Sequence, residues 1–193
     1  MAYIGQAPTN VPLTSADIED GTIALADLSA TGTKDATTFL RGDNTFATAG
    51  GTNTPAFHVD LSSDQSVSDV AVTKVQFDTE LFDTANAYDN STNYRFTPQT
   101  AGKYWVYFSC VANSSSTSQL TNTRVFIYKN GAKVALSHFD VRTTKGFEYN
   151  NYLGQVISLN GSSDYIEFFA RVDHDGTGVV RAESYAGAYK IIE

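Results

Sequence analysis

Cysteine, basic residues and long apolar runs are all scarce in this chain of 193 residues. The single cysteine, Cys110, excludes an internal disulfide framework and a cysteine-based zinc site, and its apolar surroundings predict a buried, inert thiol. Only 13 lysines and arginines stand against 21 acidic residues, so the net charge is −8 and no basic cluster offers itself to nucleic acid. No apolar run approaches the length that spans a bilayer, and we expect no membrane insertion.

The beginning of the chain lacks a basic segment followed by an apolar one, which is the pattern of a secretory signal. We therefore expect synthesis in a cytoplasm, and a protein that works outside cells would leave by lysis. The three histidines, His58, His138 and His174, are far apart and have no catalytic or metal-binding spacing. The sequence predicts no catalytic residue and no cofactor.

Residues 1–54 differ in composition from the rest, because they are rich in Ala, Thr, Asp and Gly and contain few large apolar side chains. Alone, such a segment buries too little apolar area to offset the loss of chain entropy. It is either disordered, or it folds by winding around copies of itself or by docking on a partner. We therefore divide the chain into an attachment or trimerisation segment, 1–54, and a head, 55–193.

The head shows strand after strand, about eight in all, among them an alternating strand over 70–77 and a closing strand over 179–192, with no helical periodicity between them. Asn130-Gly131 between alternating segments predicts a tight hairpin, because both residues accept positive φ. Tyr104, Val106 and Phe108 fall on one face of a long strand and are expected to fill the space between two sheets. Gly187, in the last strand, suggests close approach of a neighbouring backbone or aromatic ring. A sandwich, a jelly roll and a barrel all remain possible.

Short motifs in the head occur in a characteristic order. Phe96 is followed after five residues by Gly102-Lys103-Tyr104, then by alternating apolar residues, and the chain closes on Ser184-Tyr185-Ala186-Gly187-Ala188-Tyr189. This order resembles the globular heads of the complement C1q-like family, relatives of the tumour-necrosis-factor jelly rolls, although Val106 stands where Phe is usual. The resemblance covers residues 55–193. It implies an all-β antiparallel jelly-roll sandwich that forms a homotrimer around an aromatic face.

A second set of motifs lies in the first segment: Met1-Ala2-Tyr3-Ile4-Gly5, Pro8–Leu13 and Thr38–Phe46, the last containing Phe-Leu-Arg-Gly-Asp. These motifs resemble fibre-type structural proteins of marine phages, cyanophages especially. The resemblance implies a protein on the virion surface that joins another virion protein through residues 1–54, with Arg41-Gly42-Asp43 as a turn. The residues implied in this attachment are Tyr3, Ile4, Pro8, Pro12, Leu13, Phe39, Leu40 and Phe46.

The two resemblances together predict a non-enzymatic virion structural protein, a trimeric tail fibre or fibre-tip knob that contacts the host surface. A capsid fibre or decoration protein is the alternative. A carbohydrate-binding module or glycan-active enzyme is a second alternative. An enzyme of that kind would need paired carboxylates, for which Glu148 and Glu167 are candidates, although we favour two solvated strand residues.

Recognition of a host glycan is predicted on loops at the outer end of the head, away from residue 55, because a β scaffold tolerates variation there. The candidate segments are 81–92, 113–122, 143–149 and 173–178, and the candidate receptor residues are Tyr88, Asn113, Ser116, Asn122, Lys145 and His174. Asp173 and Asp175 could in addition supply oxygen ligands to calcium, although an ordinary acidic turn is the simpler interpretation.

Overall fold

A computed structural model describes residues 24, 29–48, 53–114 and 120–191 of the chain. The chain forms two compact units, Met1–Gly51 and Thr52–Glu193. No helix among the described residues is long and apolar enough to cross a membrane. Six of the candidate attachment and receptor residues lie outside the described ranges: Tyr3, Ile4, Pro8, Pro12, Leu13 and Ser116.

The first unit contains a short antiparallel hairpin of β1 (Thr38–Leu40) and β2 (Phe46–Thr48). Its turn is closed by the Arg41 N–H, which donates to the Thr45 carbonyl at 2.8 Å, and by the Asn44 N–H, which donates to the Arg41 carbonyl at 3.0 Å. Asn44 takes a φ of 62°, which asparagine tolerates better than most residues. The Arg-Gly-Asp tripeptide therefore forms a turn, as predicted.

The described part of the second unit is built from thirteen strands in two antiparallel sheets. The strands are β3 (Ala56–Asp60), β4 (Gln65–Val67), β5 (Val72–Lys74), β6 (Thr79–Asp83), β7 (Tyr88–Asp89), β8 (Arg95–Phe96), β9 (Ala101–Ser114), β10 (Leu120–Lys129), β11 (Ala132–Asp140), β12 (Glu148–Asn160), β13 (Ile166–His174), β14 (Gly178–Val180) and β15 (Tyr185–Lys190).

One sheet, called the β9 sheet below, has the order β4-β14-β9-β15-β3-β6, with β12 paired along the other side of β9. The second, the β10 sheet, has the order β11-β10-β13-β8-β7, and β5 also pairs with β13. Between β10 and β11, Asn130 and Gly131 have φ angles of 52° and 75°. The hairpin predicted from Asn-Gly is confirmed.

The core lies between the two sheets and is rich in aromatic rings. Tyr104, Val106 and Phe108 of β9 are all fully buried, which confirms the predicted inward face. An asparagine also crosses the core: the Asn151 amide nitrogen, from β12, donates to the Thr123 carbonyl of β10 at 3.2 Å. The Ser137 hydroxyl of β11 donates to the Asn151 amide oxygen at 2.6 Å. This amide therefore links the two sheets.

Two predicted strands differ from those observed. Residues 70–77 were expected to form one strand, but the paired segment is Val72–Lys74. Beyond it, the Gln65 side chain replaces a partner strand, since its nitrogen donates to the Lys74 carbonyl and its oxygen accepts from the Gln76 N–H, both at 2.8 Å. The expected closing strand, 179–192, is split into β14 and β15 by a turn closed by the Ser184 N–H, which donates to the Arg181 carbonyl at 2.9 Å.

Candidate interaction surfaces

The surface of the β9 sheet that points away from the core carries mostly aromatic side chains. The strand register places Gly154, Tyr107, Gly187, His58 and Phe82 in one row across five strands. A second row contains Val156, Trp105 and Tyr189. We call this surface the aromatic face, and its members are His58, Phe82, Trp105, Tyr107, Tyr152, Val156, Tyr185 and Tyr189.

Two glycines leave room for the large rings of this face. A Cβ atom on Gly154 would lie 2.5 Å from Cζ2 of Trp105, and one on Gly187 would lie 2.3 Å from the hydroxyl of Tyr107. The close approach predicted from Gly187 is therefore confirmed, with Tyr107 as the neighbouring ring. The rings lie over the sheet because their neighbours have no side chain.

Four members of the aromatic face are exposed in the single chain: Phe82, Tyr152, Val156 and Tyr189. Large contiguous apolar patches on soluble proteins commonly mark interaction sites. Tyr and Trp suit such sites, because their rings supply apolar area and their polar atoms remain able to hydrogen-bond. Nothing in the sequence distinguishes these four side chains from those of the core.

A histidine organises the centre of the aromatic face. His58 Nδ1 lies 2.8 Å from the Tyr107 hydroxyl, and its Nε2 lies 3.2 Å from a carboxylate oxygen of Asp60. Its ring also stacks on Tyr185, with centroids 5.4 Å apart. Burial raises the pKa of Tyr107 to about 12, so the phenol keeps its proton at neutral pH. These contacts fix the ring orientations of the face.

The two ends of the head are defined by where Pro55 lies. The Lys190 N–H donates to the Pro55 carbonyl at 3.1 Å, so Pro55 lies beside the beginning of β9, and the end of β9 is the outer end. The described parts of three candidate loop segments, 113–122, 143–149 and 173–178, adjoin this outer end through the pairs Asn113 with Glu148 and Ser114 with Gly178. The fourth, 81–92, begins at the Pro55 end, where the Thr84 N–H donates to the Ala56 carbonyl at 2.9 Å.

Most candidate receptor residues are buried, contrary to the prediction. Tyr88 belongs to the core, where its ring stacks on Phe57 at 5.0 Å and burial raises its pKa. Asn113, Asn122 and His174 are also buried. Polar composition was a poor guide here, since the strands extend further into these segments than the sequence indicated.

Lys145 is exposed, as predicted, and forms an ion pair with Asp175. Asp173 accepts two hydrogen bonds from the Arg171 guanidinium, at 2.7 and 3.0 Å. Both calcium candidates thus already face a basic side chain. Among the described residues, no group of three or more His, Cys, Asp or Glu side chains could hold a metal ion. The geometry favours the simpler interpretation, an acidic turn.

The candidate carboxylate pair does not come together. Glu148 begins β12 at the outer end, where its carboxylate accepts from the Asn113 amide at 3.0 Å. Glu167 lies near the beginning of β13, at the Pro55 end, and is buried in an ion pair with Lys74. The expectation that Glu167 is solvated is wrong, because the Lys74 ammonium compensates its charge.

The described attachment residues lie on the β1–β2 hairpin. The side chains of Phe39 and Leu40 are exposed, whereas Phe46 is partly buried and the Lys34 ammonium lies 5.9 Å from its ring centroid. Two exposed apolar side chains beside a tight turn offer a small docking surface.

Comparisons with known proteins show the fold of the head. No protein-family model matches the sequence, and no curated protein does. The globular domain of zebrafish complement 1qA protein matches with a TM-score of 0.50 and 17% identity, covering 71% of this chain and 97% of that chain. Eiger TNF from S. frugiperda matches with a TM-score of 0.50 and 15% identity, covering 70% and 91% respectively. The chain contains a C1q/TNF-like jelly-roll domain, an all-β antiparallel sandwich, as predicted.

Proposed function

We propose that this protein is a homotrimeric, non-enzymatic structural protein of a bacteriophage virion. Its head is a tail-fibre tip or knob that contacts the host surface, and residues 1–54 join it to another virion protein. The alternative location, a capsid fibre or decoration protein, uses the same trimer and the same attachment segment.

The aromatic face forms the subunit interface of this trimer. Stable interfaces have an apolar, aromatic centre and a polar rim. Here Trp105, Tyr107 and Tyr189 occupy the middle of the sheet, and charged residues such as Asp60 lie at its margin. The C1q-like resemblance implies three heads packed around a face of this kind. Closed threefold symmetry would cover it without leaving an open, polymerising surface.

The phage assignment rests on the first segment. Its Phe-Leu-Arg-Gly-Asp motif resembles phage fibre proteins, and in the hairpin that contains it Phe39 and Leu40 are exposed. The head offers no independent support, since the jelly-roll fold is not specific to virions. The separation of Glu148 from Glu167 supports a binding role over glycan cleavage.

Two experiments test the proposal. Sedimentation equilibrium of the full chain at micromolar concentration should give three times 20.9 kDa, and a stable monomer would refute the trimer. Immunogold labelling of purified virions should place the protein on the particle. Label at the tail tip supports the fibre, label over the capsid supports the decoration protein, and absence of label from virions refutes both.

A further inference from the structure

We propose that the outward surface of the β10 sheet binds a carboxylate-bearing saccharide at Arg124. Arg124 lies in β10, directly opposite Arg171 of β13 on one side and His138 of β11 on the other. Directly opposed side chains in a sheet are roughly 5 Å apart at Cβ, and like charges placed there destabilise the pair. Because Asp173 already pairs with Arg171, a bound anion would pair with Arg124.

Arg124 differs from the other guanidinium groups nearby. Arg171 donates two hydrogen bonds to Asp173, and Arg142 makes an ion pair with Asp140. The Arg124 side chain makes no hydrogen bond or ion pair with any residue that the structure describes, and its Nε atom is buried without an acceptor. An unsatisfied buried donor is unfavourable, and the planar guanidinium matches the two oxygens of a carboxylate.

A second unpartnered atom lies beside it. The amide oxygen of Asn122, two residues earlier on the same surface of β10, is buried and has no donor within the described chain. Both atoms are covered in the unliganded protein, so the Arg124 side chain would have to turn outward on binding; a ligand that carries a carboxylate and a neighbouring hydroxyl would then satisfy Arg124 and Asn122 together. Sugar acids have both groups, whereas the side chain of an acidic peptide residue has only the carboxylate.

The next row of the surface is apolar. The register places Leu136, Phe126 and Phe169 side by side, one row beyond His138, Arg124 and Arg171. Leu136 is exposed, and so is Val72, which lies opposite Arg171. Binding sites for organic ligands typically combine apolar lining with a few placed polar groups. The C–H face of a sugar ring would lie on Leu136 when its carboxylate reaches Arg124.

Charge alone would not attract this ligand from a distance. Arg124, Arg142 and Arg171 are balanced locally by Asp140, Asp173 and Asp69, and the chain as a whole carries −8. Recognition therefore depends on hydrogen-bond geometry, and we expect a dissociation constant on the order of millimolar for one site. The inference rests on the proposed host contact for its biological meaning, but binding in solution tests it separately from trimer or virion assembly.

The test is a titration of the full chain, by NMR or calorimetry, with two acidic probes: trigalacturonate and a hyaluronan tetrasaccharide. At least one should bind saturably, and the methyl ester of the same saccharide should not. Arg124→Gln should weaken binding about tenfold or more, the loss expected for hydrogen bonds to a charged group. Arg95→Gln is the matched control, because it removes the same charge from a guanidinium that lies over Tyr165 at the Pro55 end of the same sheet.

Several results would overturn the proposal: binding of neither acid, equal binding of the methyl ester, or unchanged affinity in Arg124→Gln. Tighter binding of triglutamate than of either saccharide would assign the site to an acidic peptide instead. A Leu136→Ser variant distinguishes a saccharide from a bare carboxylate. It should weaken the saccharide and leave the weak binding of acetate unchanged, and an equal effect on both would contradict the sugar assignment. Circular dichroism confirms that each variant is folded.

Discussion

Replacing Val156 by aspartate should separate trimer formation from folding. Val156 projects from β12 onto the aromatic face opposite Trp105, and 44% of it is exposed in the single chain. Val72 is a matched control: it is also a strand valine, 46% exposed, but it projects from β5 on the outward surface of the β10 sheet. The two aspartate variants therefore make the same chemical change on opposite surfaces of the sandwich.

The expected magnitude follows from the exposed fraction. Full burial of a valine is worth roughly 1.5–3 kcal/mol, so burying the exposed 44% in a trimer contributes about 1 kcal/mol per subunit. An unpaired carboxylate in the same place costs a further 3–5 kcal/mol or so. Three subunits together lose about 12–18 kcal/mol of association free energy, and each 1.4 kcal/mol or so is a factor of ten. The Val156→Asp trimer should therefore dissociate at micromolar concentration.

Sedimentation velocity with far-UV circular dichroism checks this outcome. Val156→Asp should sediment as a folded monomer, and Val72→Asp should sediment as the wild-type trimer. A Val156→Asp protein that remains trimeric would refute the assignment of the aromatic face. Dissociation of Val72→Asp alone would move the interface to the β10 sheet.

Three further predictions concern packing inside the head and the hairpin. Gly187→Ala should destabilise the protein by about 1–3 kcal/mol, because its Cβ would lie 2.3 Å from the Tyr107 hydroxyl. The control variant Gly42→Ala should leave Tm unchanged, because its Cβ meets nothing within 4 Å. Equal melting curves for the two variants would contradict the packing role of Gly187. Asn151→Ala should lower the free energy of unfolding in urea by about 1–3 kcal/mol, because it leaves polar groups of both sheets without a partner. An unchanged free energy of unfolding would show that water replaces the amide. The Cys110 thiol should resist alkylation at about pH 8 until the protein unfolds, because burial raises its pKa to about 12. Rapid labelling of the native protein would contradict this expectation and would mean that the core opens.

Sequence patterns correctly predicted those features of the fold that depend only on a few adjacent residues. The alternation in β9 and the Asn130-Gly131 turn were both correctly inferred, because period two and positive φ are properties of a few adjacent residues. Tyr88 was assigned to a surface loop because its neighbours are polar. Its burial depends on Phe57, which lies far away in the sequence, and such a contact cannot be read from composition.

The aromatic face was harder to predict than the core, because β9 is aromatic on both sides. Tyr104 and Phe108 point inward, whereas Trp105 and Tyr107 point outward, and alternation alone does not say which set is covered. The missing signal lies in partner strands, since Gly154 and Gly187 lie opposite Tyr107 and make room for the outward rings. That pairing requires the sheet register, which the sequence does not display.

The two proposed surfaces lie on opposite sides of the sandwich, so trimer formation through Val156 and saccharide binding at Arg124 act on different sheets. A trimer would present three copies of a weak site, and multivalent binding can exceed the single-site affinity by roughly 10²–10⁴-fold. Val156→Asp should therefore keep the millimolar affinity for one saccharide but adsorb poorly to host cells. Arg124→Gln should remain trimeric, bind the saccharide about tenfold or more weakly, and adsorb poorly to host cells. If the monomeric Val156→Asp protein adsorbs as well as wild type, host attachment does not depend on avidity, and the threefold head would serve particle assembly alone.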